Sequence, residues 1–348
     1  MRKIPLGQTD TMISDYCLGT MTWGRHTDEA VAHAQMDMAL EAGINIVDTA
    51  EMYPVNPVLA ESVGDTETII GNWNAKHPAR RGDYVLATKI TGNNAGFVRP
   101  GQDITAATFL EAFETSLKRL QTDYIDVYQL HWPNRGSYHF RRYWGYDPSA
   151  QTKAGTLDNM AEVLEAADQL VKEGKLGHFA LSNDTAWGTS QWLRIAEDRG
   201  LPRVASVQNE YSLLCRIYDL DMAEMAVNEQ VTLLAYSPLA TGLLSGKYQN
   251  GAIPEGSRMQ ANGDLGGRIT DRVFPAVAAY LDIANRHGLD LVQMALAFTV
   301  QRPFPVSTIF GATTTAQLAH IIEGADLTLS QEVLAEIDTA HKAHPMPF

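Results

Sequence analysis

Four residues stand where they could deliver a proton to a carbonyl oxygen. The run Ile44-Asn45-Ile46-Val47 has strand character and ends in Asp48, and Tyr53 follows five positions later on an expected loop. Two more strand-like runs, Tyr84–Lys89 and Tyr124–His131, also close on a polar head group. If the three are parallel neighbours, Asp48, Tyr53, Lys89 and His131 converge at one sheet end. A phenol is a poor acid near neutrality, with a pKa of about 10, and an adjacent ammonium lowers that value. Lys89 supplies the ammonium. Asp48 pairs with it and keeps it protonated, and His131 donates a hydrogen bond that orients the carbonyl. The electrons must come from elsewhere. The ten histidines are dispersed, with no H-E-x-x-H and no C-x-x-C, so no metal site is expected. A hydride donor is implied, and nicotinamide is the obvious one.

Positioning these groups calls for a repeating framework. From Tyr16 onward, eight strand-like runs alternate with helical periods. Asp28–Ala42 closes at Gly43, Thr66–Asn74 is shorter, and Thr105–Leu120 places Leu110, Phe113, Leu117 and Leu120 at helical spacing. Leu157–Glu173, Ala186–Arg199 and Asp219–Asn228 continue the rhythm around strands ending near Ser182, Asn209 and Tyr236. A last strand at Val306–Ile309 is flanked by helices near 272–287, 291–301, 315–324 and 330–341. Strands that are apolar on both faces and covered by helices form parallel sheets. Eight such units with no linker fit one α/β domain over residues 1–348: a (β/α)8 TIM barrel preceded by an N-terminal β-hairpin and closed by C-terminal helices. No G-x-G-x-x-G follows the first strand, which argues against an open doubly wound sheet. Long loops follow the fourth strand (133–156, rich in aromatics) and the seventh (237–271, rich in glycine), both at the strand ends where barrel sites lie. Trp23 and Trp132, each just after a strand end, are expected to line a substrate pocket together with Tyr53.

The balance of 27 basic against 41 acidic residues gives a net charge of -14, which argues against a nucleic-acid or membrane-surface partner. Cys17 and Cys215 lie far apart in apolar runs and are expected to be buried thiols. No signal-peptide pattern opens the chain and no apolar stretch reaches membrane-spanning length, so a cytoplasmic location is expected.

Several motifs carry a family resemblance. The turn Gly19-Thr20-Met21-Thr22-Trp23-Gly24, the four residues above, Ser182-Asn183, Gln208-Asn209, Tyr236-Ser237-Pro238-Leu239-Ala240 and Gly242–Tyr248 together resemble the aldo-keto reductase superfamily, in order and over nearly the whole chain. Asp48–Pro54, Gly71-Asn72-Trp73 and Gly311–Thr314 resemble one bacterial branch of it. The resemblance implies a barrel that binds NADP(H) without a Rossmann motif and reduces aldehydes or ketones, reversibly. Tyr53 would be the general acid. Gly19, Thr20, Met21 and Asp48 would border the cofactor, Ser182, Asn183 and Gln208 would hold its carboxamide, and Tyr236 would stack on the nicotinamide. Ser237, Pro238, Leu239, Gly242 and Ser245 would line the pyrophosphate. Lys247 and Arg258 would meet the 2′-phosphate, and Gly311, Thr313 and Gln317 the adenosine end. The chain departs from the family at His320-Ile321, where Glu-Asn is common, so preference for the 2′-phosphate rests mainly on Lys247 and Arg258. The same fold also implies an alternative: a nucleotide-sensing regulatory subunit with little turnover, similar to potassium-channel β-subunits.

Overall fold

The structure is a computed structural model that describes all 348 residues. A short hairpin comes first, β1 (Lys3–Pro5) paired antiparallel with β2 (Met12–Ser14). Eight parallel strands follow: β3 (Tyr16–Gly19), β4 (Ile46–Asp48), β5 (Val85–Ile90), β6 (Ile125–Leu130), β7 (Leu176–Ser182), β8 (Val204–Glu210), β9 (Thr232–Tyr236) and β10 (Val306–Phe310). Each bonds to its neighbours in sequence, and β10 closes the barrel by pairing with both β9 and β3. The expected (β/α)8 barrel is therefore the observed one.

Helices α1 (Glu29–Glu41), α2 (Asp65–Lys76), α3 (Ala106–Leu120), α4 (Lys153–Lys172), α5 (Ala186–Arg199) and α6 (Asp221–Glu229) follow β3 to β8 in turn. The one-turn helix α7 (Arg258–Ala261) lies in the long connection after β9. Helices α8 (Val273–Arg286) and α9 (Leu291–Val300) precede β10, and α10 (Thr315–Glu323) and α11 (Gln331–Ala343) follow it. Their ends obey local chemistry. Asp28 caps α1 by accepting from the Val31 amide, and Thr105 and Thr108 satisfy each other's amides at the start of α3. Helix α4 begins four residues before the expected Leu157, because its first turn is polar and carries no apolar period.

The alternation of side chains across each strand gives two main cores, and a third cluster of four buried residues, Ala50, Met52, Tyr53 and Val98, lies apart from them. The larger, of 79 buried residues, lies between barrel and helices. The smaller lies inside the barrel and joins Cys17, Ile46, Ala87, Val127, Leu234 and Ile309 to Leu6 and Ile13 from the hairpin side. The hairpin thus closes the barrel's amino-terminal end. Its turn needs Gly7, at φ +60°, because a Cβ there would stand 2.5 Å from the Ala205 carbonyl oxygen. Both cysteines are buried and unpaired.

The connection between β6 and α4 is tied down. Ser137 Oγ donates to the Asn183 carbonyl (2.8 Å), His139 Nε2 donates to that of Asp184 (3.0 Å), and Arg135 pairs with the Asp184 carboxylate. No helix is long and apolar enough to cross a membrane.

Candidate active site

Strand register builds the centre. β4 aligns Asp48 with Ala87 of β5, and β5 aligns Lys89 with Gln129 of β6, so alternate residues face the barrel axis at one level. Lys89 Nζ, wholly buried, donates to Asp48 Oδ2 and to the Thr49 carbonyl, both at 2.7 Å. The other carboxylate oxygen, Oδ1, accepts from Gln208 Nε2 at 2.7 Å and Gln129 Nε2 at 3.1 Å. Thr20 fixes the backbone here: its amide and Oγ1 both donate to the Asp48 carbonyl. A buried ion pair is tolerable only when its remaining lone pairs and protons are satisfied, and the two glutamines and the Thr49 carbonyl do this. Burial pulls the Lys89 ammonium down, but Asp48 and Tyr53 together lift it above the ordinary lysine value. It stays charged.

Tyr53 is buried above this pair, with Lys89 Nζ 5.0 Å from its ring centroid and the His131 ring edge-on at 5.8 Å. Lys89 does pull the pKa of the phenol down, as expected, but it does not set the net direction. Burial outweighs the ammonium and raises the phenol above its ordinary value. Tyr53 therefore rests as a neutral hydroxyl with a proton to give. His131 is held well below the usual imidazole range by burial and by Lys89, so it is neutral. Its Nδ1 is buried without a partner. An unpaired acceptor is less costly there than an unpaired N–H, which favours the tautomer protonated on Nε2.

Ser182, Asn183, Gln208 and Tyr236 form a continuous ledge at the ends of β7, β8 and β9. Ser182 Oγ donates to the Gln208 carbonyl, Asn183 Nδ2 to the His131 carbonyl and to Ser182 Oγ, and Tyr236 Oη to Asn183 Oδ1 at 2.8 Å. Beyond Tyr236 the backbone turns left-handed at Ser237, Ala240, Thr241 and Gly242. Pro238 is buried, Leu239 half-buried, and Ser245 Oγ donates to the Gly242 carbonyl. The Lys247 amine folds back over this turn, so that a Cβ on Gly242 would lie 3.4 Å from Nζ. Arg258, half-buried at the start of α7, sits near enough to Tyr53 and Arg268 to be perturbed by both. Burial and Arg268 bring it down to about 10.

The third group lies on the other side of the mouth. Gly19 is buried against β10, where a Cβ would stand 2.8 Å from Ile309 Cγ2, and Met21 packs beside Tyr53. Gly311 and Gln317 are exposed, and Gln317 Oε1 accepts from the Thr313 amide and hydroxyl. His320 pairs with Asp290 and Ile321 is buried in the outer core, so neither faces this turn as a donor.

Trp23 does not line the mouth. It is 1% exposed and belongs to the outer core, with its indole N–H donating to Gln35 Oε1. Gln35 in turn donates to the Ala312 carbonyl, so Trp23 braces the 311–317 turn from behind. Trp132, half-buried, does stand at the mouth, against the His131 ring and Phe140. Sequence reasoning also missed Gln129. The signal was present, because a residue two positions before His131 on a strand shares its face. It missed a second buried cluster as well, in which Glu210 accepts from Arg268 (2.6 and 2.9 Å) and Arg141 (2.8 Å). These partners come from three separate segments, with no local pattern to join them.

The barrel agrees with the comparisons. The family model described as "Aldo/keto reductase family" matches residues 16–342. Protein tas of Escherichia coli (strain K12) is 45% identical over 338 residues, 96% of each chain. The uncharacterized oxidoreductase YrpG of Bacillus subtilis is 32% identical over 333 residues, 94% of this chain and 92% of its own. A putative voltage-gated potassium channel subunit beta of Schizosaccharomyces pombe is 29% identical over 355 residues, 96% and 91% respectively. With a closed eightfold barrel and a family match over nearly its whole length, the chain belongs to the aldo/keto reductase family.

Proposed function

We propose that the protein reduces aldehydes or ketones to alcohols with NADPH, reversibly, with Tyr53 as the proton donor. The buried Asp48–Lys89 pair beneath a neutral Tyr53 carries this reading, because it places a fixed cation beside a transferable proton. The residues present suit a dinucleotide. A ledge of amide and hydroxyl side chains, followed by a turn of left-handed residues, is the chemistry that holds a carboxamide and a pyrophosphate. Lys247 and Arg258, neither of them in an ion pair with a carboxylate, are the cations for the extra phosphate, with Gly311, Thr313 and Gln317 toward the adenosine. When bound, the nicotinamide supplies the hydride.

The chain's own groups do the rest. Neutral His131 offers its ring N–H to the substrate carbonyl oxygen and fixes its direction. As negative charge grows on that oxygen, Tyr53 Oη releases its proton to it. The phenolate left behind is stabilised by Lys89, whose charge Asp48 holds in place. Gln129 and Gln208 keep the carboxylate aimed at the amine. Without the ammonium the phenolate would be isolated in a dry site, where burial alone opposes it.

Tyr53→Phe keeps the ring and removes the proton. Turnover of NADPH with a panel of aldehydes is expected to fall by about 10²–10⁴-fold, while NADPH affinity, read by nucleotide fluorescence, stays within about twofold. Near-normal turnover in that variant would refute the role. The likeness to a potassium channel subunit beta favours a second reading, a nucleotide-sensing subunit with little turnover. Tight NADPH binding without reduction of any aldehyde in the panel would select it.

A further inference from the structure

Between β5 and α3 the chain forms a preordered loop over Tyr53. Asn94 is its internal strut: its Nδ2 donates to the carbonyls of Gly92 and Val98, and its Oδ1 accepts from the amides of Gly96 and Val98. Val98, 4% exposed, packs with Tyr53 and Met52, and Phe97, Met21 and Trp132 border the same cluster half-buried. Trp132 Nε1 also donates to the Asn93 carbonyl, tying the loop to the residue after His131. The next residue, Arg99, reaches beneath the loop. Its guanidinium pairs with the buried Glu51 and donates to the Thr91 carbonyl. Glu51 lies two residues before Tyr53, and its amide donates to the Lys89 carbonyl. One clamp therefore joins the loop to the segment that carries the phenol.

We propose that residues 92–101 form the substrate wall of this site, held in register by the Arg99–Glu51 clamp, and that the wall selects an apolar, ring-sized carbonyl compound. This rests on the reductase reading above. The chemistry follows from the side chains that cluster with Tyr53. Phe97, Val98, Met52 and Trp132 offer carbon and ring faces, and the one charged group on this wall, Arg99, is turned inward onto Glu51. A small hydrated aldehyde would lose its water here and find no replacement partners, whereas a ring gains buried contact. Arg99 and Glu51 touch no reacting atom; they are positioning residues.

The test compares benzaldehyde with glycolaldehyde in the full-length protein. Wild type is expected to favour benzaldehyde at least tenfold in kcat/KM. Phe97→Ala and Arg99→Met are each expected to raise the benzaldehyde KM about tenfold, with kcat within threefold and the glycolaldehyde KM within twofold. Arg99→Lys should recover much of the loss, since it restores a hydrogen-bond donor for Glu51. NADPH affinity and melting temperature serve as folding controls, and Phe97 is half-exposed and safe to trim. An unchanged ratio between the two aldehydes in both variants overturns the proposal, as does an equal loss of kcat on both. If wild type reduces other aldehydes of the panel but neither of these, the proposal is overturned; if it reduces none, the reductase reading fails by itself. The wall is then judged by benzyl alcohol binding to the NADP-loaded protein, followed by tryptophan quenching. Binding that is lost in Phe97→Ala supports the wall; no binding, or equal binding, overturns it.

Discussion

Lys89 and Asp48 together are nearly inaccessible, so each is tolerable only because of the other. Removing one leaves an uncompensated charge in a dry interior, which costs about 3–5 kcal/mol. Asp48→Ala is therefore expected to destabilise the protein by about that amount in urea unfolding, while the double change Asp48→Leu with Lys89→Met should recover most of it. Glu51 sets a pH dependence of opposite character. Burial pushes its carboxyl up to about 7 against the pull of Arg99, with Glu67 of α2, Arg119 of α3 and Tyr128 of β6 facing the same cluster. The folded form thus holds a proton that the unfolded chain, near its ordinary 4.5, has already lost. Stability from this group falls as pH rises from about 4.5 to 7 and is level above. His131, held low, works the other way, so a difference measurement is needed. The stability of wild type minus that of Glu51→Gln should decline between pH 5 and 7 and flatten beyond; a flat difference throughout would contradict the assigned environment. Such effects explain what was legible at this scale. Strand-end position and residue type announce Asp48, Lys89 and His131. They say nothing of whether a cation or a dry cavity governs Tyr53, and here the cavity wins.

Elements were readable where the hydrophobic period was strong, and blurred where other physics set the boundary. The eight strands and the helices between them follow from β-branched runs and helical spacing. Helix α4 starts in a polar turn, and the loop over Tyr53 owes its shape to Asn94 and Arg99, neither of which signals a loop structure locally. Trp23 shows the converse error: a tryptophan after a strand end looks like a pocket residue, but Gln35 on α1 draws its indole into the outer core. Close packing of elements adds a further test. Gly71 lies within α2, where alanine would ordinarily gain about 1 kcal/mol in helix propensity. Yet a Cβ there would stand 2.0 Å from the Arg119 carbonyl oxygen of α3. Gly71→Ala is therefore expected to lower stability, by about 1–3 kcal/mol as for other overpacked sites, and a rise in melting temperature would disprove the tight α2–α3 contact.

At the scale of the whole molecule, the net charge of -14 repels anions generally, so any dinucleotide must be drawn to a local exception. In the proposed reading Lys247 and Arg258 supply it. Lys247→Ala is expected to weaken NADPH binding by about tenfold, the loss of one charge-assisted contact of about 1.5 kcal/mol, and to leave NADH nearly unaffected. Added salt should erode the NADPH affinity more than that for NADH. Equal effects on both nucleotides would move the phosphate elsewhere. None of this spatial separation of charge was visible in a count of residues. It arises because barrel closure gathers the ends of eight strands onto one rim.

The hairpin that seals the far end of the barrel has a consequence for timing. With Leu6, Ile13 and their neighbours filling the floor, the barrel interior beneath Lys89 is closed at its amino-terminal end. Under the proposed reduction, a proton given up by Tyr53 is replaced from the opposite rim, by which the product alcohol also leaves. On that reading, recharging of the enzyme waits on the exit of its product, so that each cycle empties before the next is primed.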